Sequence, residues 1–349
     1  TASPFRMEST GDEPSRALPP RFNHETFFGR MLYMFDQFDP RPLFATETQL
    51  KEAKVLVEGY QSRKSDPSPQ KLEKAQKLVE CCLHPDTKEP IFVPFRVSAF
   101  LPIAIPIGLG LLQPNAGIGS VIFWQWMNQT HAAAMNYGNR PIQKAHSNNA
   151  TSVNVLATPW DSSIKIERRA IHSYLGAVGA AMGVSLSVRS ISMRIKNKTL
   201  LLLAPVCGVV SAAVANLYLT RKHELEEGIE VETPSGKCVG RSQIAAEKAI
   251  IETAISRAVL PLPSLGLTPF MFQYLESAPW YHSLARSVGT PGPLLVRYLG
   301  LMFMSAVTVP PSFALFPHRG HIPISSLEPE IQAAARDCGS EHLTYNKGL

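Results

Sequence analysis

A run of amide and imidazole side chains interrupts the longest uncharged stretch of this sequence. Residues 97–139 contain no Asp, Glu, Lys or Arg, yet their second half is studded with polar groups. Amides both donate and accept hydrogen bonds, as a zwitterionic or hydroxylated solute requires, and an arginine at the end of the run could attract a carboxylate in bidentate fashion. The candidate solute-path residues are Gln125, Asn128, Gln129, His131, Asn136, Asn139 and Arg140.

Helical geometry relates these candidates to one another. Asn128, His131 and Asn139 fall roughly on one helical face, with Gln125 and Gln129 nearby. Amides and imidazoles at membrane depth are costly to bury, and they persist where they line a cavity or pair with other helices. Two interpretations stay open: the amides line a solute path, or they only cross-link helices. Arg189 or Arg257, at the ends of other apolar runs, could also hold a carboxylate.

Other reactive residue types in the chain predict no catalytic chemistry. His84-Pro85-Asp86-Thr87 is typical of a helix stop followed by a turn in which Asp86 bonds local backbone, and no second His or Cys lies at metal-ligand spacing. No nucleotide-binding glycine loop and no matched nucleophile, base and orienting group are recognisable. We therefore predict no enzyme, no cofactor and no metal site. The net charge of +6 comes without a zinc-finger or RNP-like motif, which argues against nucleic acid as a partner.

The elements that position the candidates are predicted to be membrane helices. Besides residues 97–139, uncharged runs cover residues 170–188, 199–220, 258–275 and 298–318. Each is close to the roughly 20 residues that a helix needs to span the hydrocarbon. A soluble core helix keeps a polar face and rarely lacks charge for so long. The sequence predicts an all-α membrane protein with about five transmembrane helices, or six, depending on whether residues 118–139 cross the bilayer or are re-entrant.

The flanking charges predict an orientation. Four basic residues between Arg189 and Lys198 have no acidic partner, which places that loop on the matrix or cytoplasmic side. Counting back with one net crossing between Arg96 and Arg140 puts the N-terminus on that same side. Counting forward puts the C-terminus on the opposite side, towards the intermembrane space if the membrane is the mitochondrial inner one.

Composition divides the chain into four parts. Residues 1–21 are rich in Pro and Ser and are predicted to be disordered; they resemble neither a secretory signal nor a transit peptide, so any targeting information is expected to be internal. Residues 22–96 form a polar, helical N-terminal region with a capping-box spacing at Thr46 and Gln49. Residues 97–317 form the transmembrane bundle, and residues 318–349 form a C-terminal tail.

Several motifs, spread in order over nearly the whole chain, resemble the sideroflexins, a family of mitochondrial inner-membrane proteins also called tricarboxylate carriers. Within that family the chain is most similar to the fifth branch, through Glu226-Glu227, Leu260-Pro261 and Leu327-Glu328-Pro329-Glu330-Ile331. The family-wide motifs are Phe28-Gly29-Arg30, Asp39-Pro40-Arg41, His84-Pro85-Asp86-Thr87, Trp124-Gln125-Trp126 with Asn128-Gln129, Asn136-Tyr137 with Asn139-Arg140, Glu224-Leu225 with Gly228-Ile229, and Tyr345-Asn346-Lys347-Gly348-Leu349.

The resemblance implies an inner-membrane carrier of small metabolites. Its expected substrates are serine and related amino acids in some members, and citrate-like tricarboxylates in the fifth branch. The expected partners are therefore the lipid bilayer and a small carboxylate solute. The alternative is a non-transporting inner-membrane scaffold for iron homeostasis or respiratory-complex assembly, which would dock partners on the N-terminal region. The sequence leaves the oligomeric state, coupling ion and direction of transport open.

Overall fold

The fold of the chain is given by a computed structural model in which most residues are helical. It confirms a mostly helical membrane protein with a helical N-terminal region. The structure describes residues 16–84, 87–113, 116–139, 168–233, 236, 238–289, 291–317, 319–335 and 340–347. The helices are α1 (Phe27–Gln37), α2 (Glu47–Gln61), α3 (Pro69–Cys82), α4 (Phe100–Leu111), α5 (Ile118–Gly138), α6 (Arg168–Arg194), α7 (Lys198–Arg221), α8 (Glu224–Glu227), α9 (Gln243–Val259), α10 (Leu267–Ser277), α11 (Pro279–Val288), α12 (Pro291–Ala314) and α13 (Pro329–Ala334). The strands are β1 (Ile229–Glu232), β2 (Cys238–Ser242), β3 (Arg319–Pro323) and β4 (His342–Asn346).

The N-terminal region is built from α1, α2 and α3. The predicted capping box starts α2: the Thr46 hydroxyl accepts from the Gln49 backbone N–H at 3.3 Å, and the Gln49 side chain accepts from the Thr46 N–H at 2.9 Å. Each cap of this kind contributes about 1 kcal/mol to helix stability. Helices α2 and α3 then bury an apolar seam of Val57, Tyr60 and Leu72 between them.

A cluster of charges joins α1 to α3. The Lys77 ammonium lies 2.7 Å from Asp36 and 2.6 Å from Asp39, and Arg21 pairs with Asp36 and, at 2.9 Å, with Glu80. Hydrogen bonds from Arg41 and Lys77 hold the pKa of Asp39 well below its usual range. Of the segment predicted to be disordered, residues 1–15 lie outside the described residues, and Arg21 at its end makes these ion pairs.

Helices α4 and α5 form an antiparallel hairpin. At one end, the Asn139 amide donates to the Phe95 carbonyl at 2.8 Å, and at the other the Ser120 hydroxyl donates to the Gln113 side chain at 2.8 Å. The chain therefore returns to the end of the bundle where it entered. Helix α4 has 12 residues, about 18 Å at 1.5 Å per residue, which is shorter than a bilayer core of about 30 Å. The sequence predicted one net crossing between Arg96 and Arg140, whereas in the structure Asn139 returns to Phe95.

By length and composition, four helical segments among the described residues can cross a membrane. They overlap the four shorter uncharged runs of the sequence. The third segment is irregular where Pro261 and Pro263 fall: a π-helical turn, Leu262–Gly266, separates α9 from α10. Missing N–H groups and ring clashes at proline cause such breaks. The segments are Ile171–Arg194, Lys198–Arg221, Gln243–Ser277 and Pro291–Ala314.

The N-terminal region and the end of α12 lie at the same end of the bundle. The Arg30 guanidinium donates to the Ala314 carbonyl at 2.9 Å, and the rings of Phe38 and Phe313 are 6.0 Å apart. At the other end, the Arg189 guanidinium donates to the Ala116 carbonyl beside the α4–α5 turn. These contacts place helix α1 and the end of α12 at one end of the bundle and the α4–α5 turn at the other. Hydropathy and charge predicted the individual helices. They did not predict that α4 and α5 pair as a hairpin, and this pairing changes the number of times the chain crosses the bundle.

A small antiparallel sheet with strand order β2-β1-β4-β3 caps the end of the bundle that carries the N-terminal region. It combines the segment after α7 with residues 319–346, so the segment predicted as a tail is part of the folded structure. Its buried side chains include Val231, Leu343 and Tyr345, which pack on Ala249 of α9. The sheet was not predicted, because its strands are four or five residues long and its two halves lie far apart in the sequence.

Candidate functional site: a polar junction of three helices

Gln125 lies where α5, α6 and α7 meet. Its side chain is fully buried, and its amide nitrogen donates to the Pro205 carbonyl of α7 at 3.1 Å and to the Ser185 hydroxyl of α6 at 3.3 Å. Pro205 has no backbone N–H and interrupts the regular hydrogen bonding of α7. One amide from α5 thus bridges two other helices at a depth where apolar residues surround it.

Gly208 makes this junction possible. A Cβ at this position would lie 2.7 Å from the Ala181 carbonyl, 2.8 Å from the Gln125 amide nitrogen and 2.9 Å from Ser185 Cβ. Only a residue without a side chain allows α6 and α7 to approach so closely. Among the glycines of α6, a Cβ added at Gly176 would clash with the Leu219 side chain of α7, whereas nothing lies within 4 Å of one at Gly179 or Gly183.

Two buried polar atoms near the junction have no hydrogen-bond partner among the described residues. One is the side-chain oxygen of Gln125, and the other is His131 Nε2. The His131 ring stacks on Phe100 of α4, with ring centroids 5.9 Å apart. A buried polar atom without a partner costs about 1–3 kcal/mol, so each is a place where an arriving hydrogen-bonding ligand is stabilised.

The predicted candidates differ in burial. Gln129 is buried with Gln125 and Asn128 is half-buried, whereas Asn136 is exposed. Asn139 has the structural role already described, because its amide ties α5 to the segment before α4. His131 also faces α4, through its stacking on Phe100. Arg140 lies outside the described residues.

The His84–Thr87 motif forms the predicted turn in its described members. The His84 N–H donates to the Glu89 carbonyl at 2.9 Å, the Lys88 N–H donates to the His84 carbonyl at 3.0 Å, and Leu83 bridges Pro90. Pro85 and Asp86 lie outside the described residues. The turn leads the chain from α3 to the start of the bundle, and no ligand-binding role is needed to explain it.

Sequence reasoning missed an ionic network at the sheet end of the bundle. Arg221, at the end of α7, makes hydrogen bonds of 2.6–3.0 Å to the Glu224 carboxylate and also donates to the Lys347 carbonyl. The Lys347 ammonium in turn lies 2.9 Å from Glu252 of α9, and the Tyr345 hydroxyl donates to the same carboxylate at 3.0 Å. Burial and this hydrogen bond raise the pKa of Tyr345. The family motifs contain Glu224, Tyr345 and Lys347, but only the fold shows that they meet.

Metal ligands are not assembled in the part of the chain that the structure covers: no group of three or more His, Cys, Asp or Glu side chains there could hold an ion. The polar junction offers amide, hydroxyl and carbonyl groups, which hydrogen-bond neutral and zwitterionic solutes without forming covalent intermediates. Its chemistry is that of binding.

Known proteins resemble this chain over almost all of its length. Residues 18–349 match the family described as sideroflexins. Sideroflexin-5 of Rattus norvegicus is 39% identical over 345 residues, which cover 96% of this chain and 93% of that protein. Sideroflexin of Dictyostelium discoideum is 33% identical, with 94% and 96% covered, and Sideroflexin-1 of Sus scrofa is 30% identical, with 95% and 96% covered. No solved structure matches the chain.

The matches run through the N-terminal helices, the polar junction and the ionic network alike. The family match covers nearly the whole sequence. The relatives of 30–39% identity align over almost their full length. This chain belongs to the sideroflexin family.

Proposed function

We propose that this protein carries small carboxylate metabolites, either amino acids such as serine or citrate-like tricarboxylates, across the mitochondrial inner membrane. The observation that carries the proposal is the buried Gln125 junction with its unpartnered side-chain oxygen. Unsatisfied amides inside a membrane bundle are expensive unless a solute or water completes their hydrogen bonds. The membership in the sideroflexin family supports a carrier of this substrate class.

The amides of α5 provide a graded polar track. From Gln125 to Asn136 the helix rises about 16 Å at 1.5 Å per residue, which is about half of the hydrocarbon thickness. Along that distance the amide side chains pass from buried at Gln125 and Gln129 to exposed at Asn136. A solute that enters at the exposed end therefore exchanges water for amide partners in steps.

Uptake into liposomes tests this proposal. We expect purified protein to take up radiolabelled citrate or serine above empty vesicles, and Gln125→Met to reduce the initial rate at least tenfold. Methionine keeps the volume of the side chain but removes both the donor to Pro205 and the free oxygen. Phe123→Leu, on the exposed face of the same helix, is the matched control and should keep a rate within twofold of the wild type.

The two possible failures of this experiment mean different things. If wild-type protein takes up neither citrate nor serine, the carrier function is wrong and the scaffold alternative gains. If uptake is present and Gln125→Met transports normally while unfolding at the wild-type temperature, the carrier stands and the α5 path is wrong. A large drop in unfolding temperature for Gln125→Met would instead favour the role of a helix cross-link.

The orientation in the membrane follows from the distribution of charge between the two ends. The end that contains the α6–α7 turn carries Arg189, Arg194, Lys196 and Lys198 with no acidic partner in that loop. By the positive-inside rule this end faces the matrix. The N-terminal region and the sheet lie at the other end, so we propose that both face the intermembrane space.

Cysteine labelling tests this orientation. Cys238 is exposed on β2, whereas burial raises the pKa of the Cys81 thiol to about 12 and suppresses its reaction. In a Cys338→Ser chain with the outer membrane opened, we expect an impermeant maleimide to label Cys238. With Cys238→Ser and Lys196→Cys added, labelling should require an opened inner membrane. The reverse pattern contradicts the orientation, and labelling of both sites from one side contradicts the assignment of the bundle ends.

A further inference from the structure

Arg257 lies on the buried face of α9, close to the sheet end of the bundle. It follows Ile250 and Thr253 by seven and four residues, so the three side chains lie on one side of the helix. Ile250 is 8% exposed and Thr253 is fully buried. The opposite side of α9 carries Ile251 and Ile255, more than half exposed, as expected for a lipid-facing surface.

The depth of Arg257 is set by its neighbour Thr253. The Thr253 hydroxyl donates to the Lys347 carbonyl at 2.8 Å, which marks the boundary between the bundle and the sheet. Arg257 is four residues further along α9, about 6 Å deeper at 1.5 Å per residue. Helix α9 packs on α7, the span that ends at Arg221.

No carboxylate of the described residues pairs with Arg257. The carboxylate of Glu224 is paired with Arg221, and that of Glu252 is paired with Lys347. Arg189, the other arginine considered from the sequence, differs from Arg257 because its guanidinium already donates to the Ala116 carbonyl. A partly buried guanidinium without a counter-ion costs several kcal/mol, so a protein keeps one where an anion arrives.

The helix breaks next to this arginine. Helix α9 ends at Val259, two residues after Arg257, and the π-helical turn Leu262–Gly266 follows. In membrane carriers, substrate sites lie where helices are discontinuous and backbone groups are freed. An unpaired cation and a broken helix thus coincide at one level of the bundle.

We propose that Arg257 is the residue that binds the carboxylate of the transported solute, at the break that follows α9. The inference rests on the proposed carrier function and names the part of the site that recognises the anion. The planar guanidinium can donate two parallel hydrogen bonds to one carboxylate of the solute.

Ligand-dependent thermal stability of the purified full-length protein tests Arg257. We expect citrate to raise the unfolding temperature of the wild type, and Arg257→Gln to weaken the apparent affinity for citrate at least tenfold. Arg257→Lys, which keeps the charge but loses the fork, should fall between the two. Without ligand, Arg257→Gln should be at least as stable as the wild type, because an unpaired charge has been removed; a merely structural arginine would give the opposite. Arg286→Gln, an exposed arginine of α11, is the charge-matched control.

The outcomes separate the inference from the proposed function. If Arg257→Gln binds citrate and transports it as the wild type does, the inference fails and the carrier stands. If the wild type neither binds nor transports citrate or serine, the carrier function fails. Inorganic phosphate and phosphatidylglycerol are tested as further ligands in the same assay. If phosphatidylglycerol stabilises the protein through Arg257 and citrate has no effect, the guanidinium binds a lipid headgroup and the inference is overturned.

Discussion

Alanine in place of Gly208 is expected to destabilise the bundle by about 2–3 kcal/mol and to reduce uptake at least tenfold. The added Cβ meets the Ala181 carbonyl at 2.7 Å, which is backbone and cannot turn away. It also meets the Gln125 amide nitrogen, so α6 and α7 separate and the hydrogen bond from Gln125 to the Pro205 carbonyl is lost. The α6–α7 interface is closely packed, since Ala177, Ala181 and Ala212 are at most 1% exposed. Thermal unfolding in detergent and liposome uptake measure the two effects.

Gly183→Ala is the matched control for Gly208→Ala. It is the same chemical change on the neighbouring helix, but its Cβ meets nothing within 4 Å. Alanine is about 0.5–1 kcal/mol more favourable than glycine inside a helix, so this variant should be slightly more stable than the wild type. Equal stabilities for the two variants would show that the α6–α7 contact at Gly208 is looser than the structure places it.

Local patterns in the sequence predicted the membrane-spanning segments but not which segments pack against each other. Runs without charge predicted four segments that the structure also has, because length and apolarity are properties of one segment alone. Whether a segment returns beside its predecessor depends on contacts such as Asn139 with Phe95, which are 44 residues apart. The direction of the chain after the α4–α5 hairpin, and with it the side of each terminus, could not be read from charges.

For the candidate site as well, local features could be predicted from the sequence and long-range contacts could not. Periodicity identified the amides of α5, but the partners of Gln125 lie 60 and 80 residues further along the chain. The closest approach of backbone to backbone between α6 and α7 is at Gly208, whose sequence context gives no signal. Arg257 was noted as a cation at the end of an apolar run. Its lack of a carboxylate partner is a property of the fold, since Glu252 and Glu224 are engaged by other residues.

A chain that ends after residue 339 is expected to lose the sheet and to unfold at a much lower temperature than the wild type. Strand β4 lies inside the sheet, between β1 and β3, so its removal breaks both ladders. Leu343 and Tyr345 are at most 2% exposed, and burial of each large apolar side chain contributes about 1.5–3 kcal/mol. Lys347 leaves with them, so Arg221 at the end of α7 and Glu252 within α9 each lose a partner. Limited proteolysis between α7 and α9 and thermal unfolding report the loss.

Two full-length variants separate the contributions of packing and of the ionic network to this effect. Tyr345→Phe keeps the ring but removes the hydrogen bond to Glu252, and should cost about 1 kcal/mol. His342→Gln, on the exposed end of β4, should be close to neutral. If the truncated chain unfolds at the wild-type temperature and resists protease equally, β4 is not an integral strand. The last residues would then be an appendage of the bundle, and Arg221 would need no partner from the C-terminus.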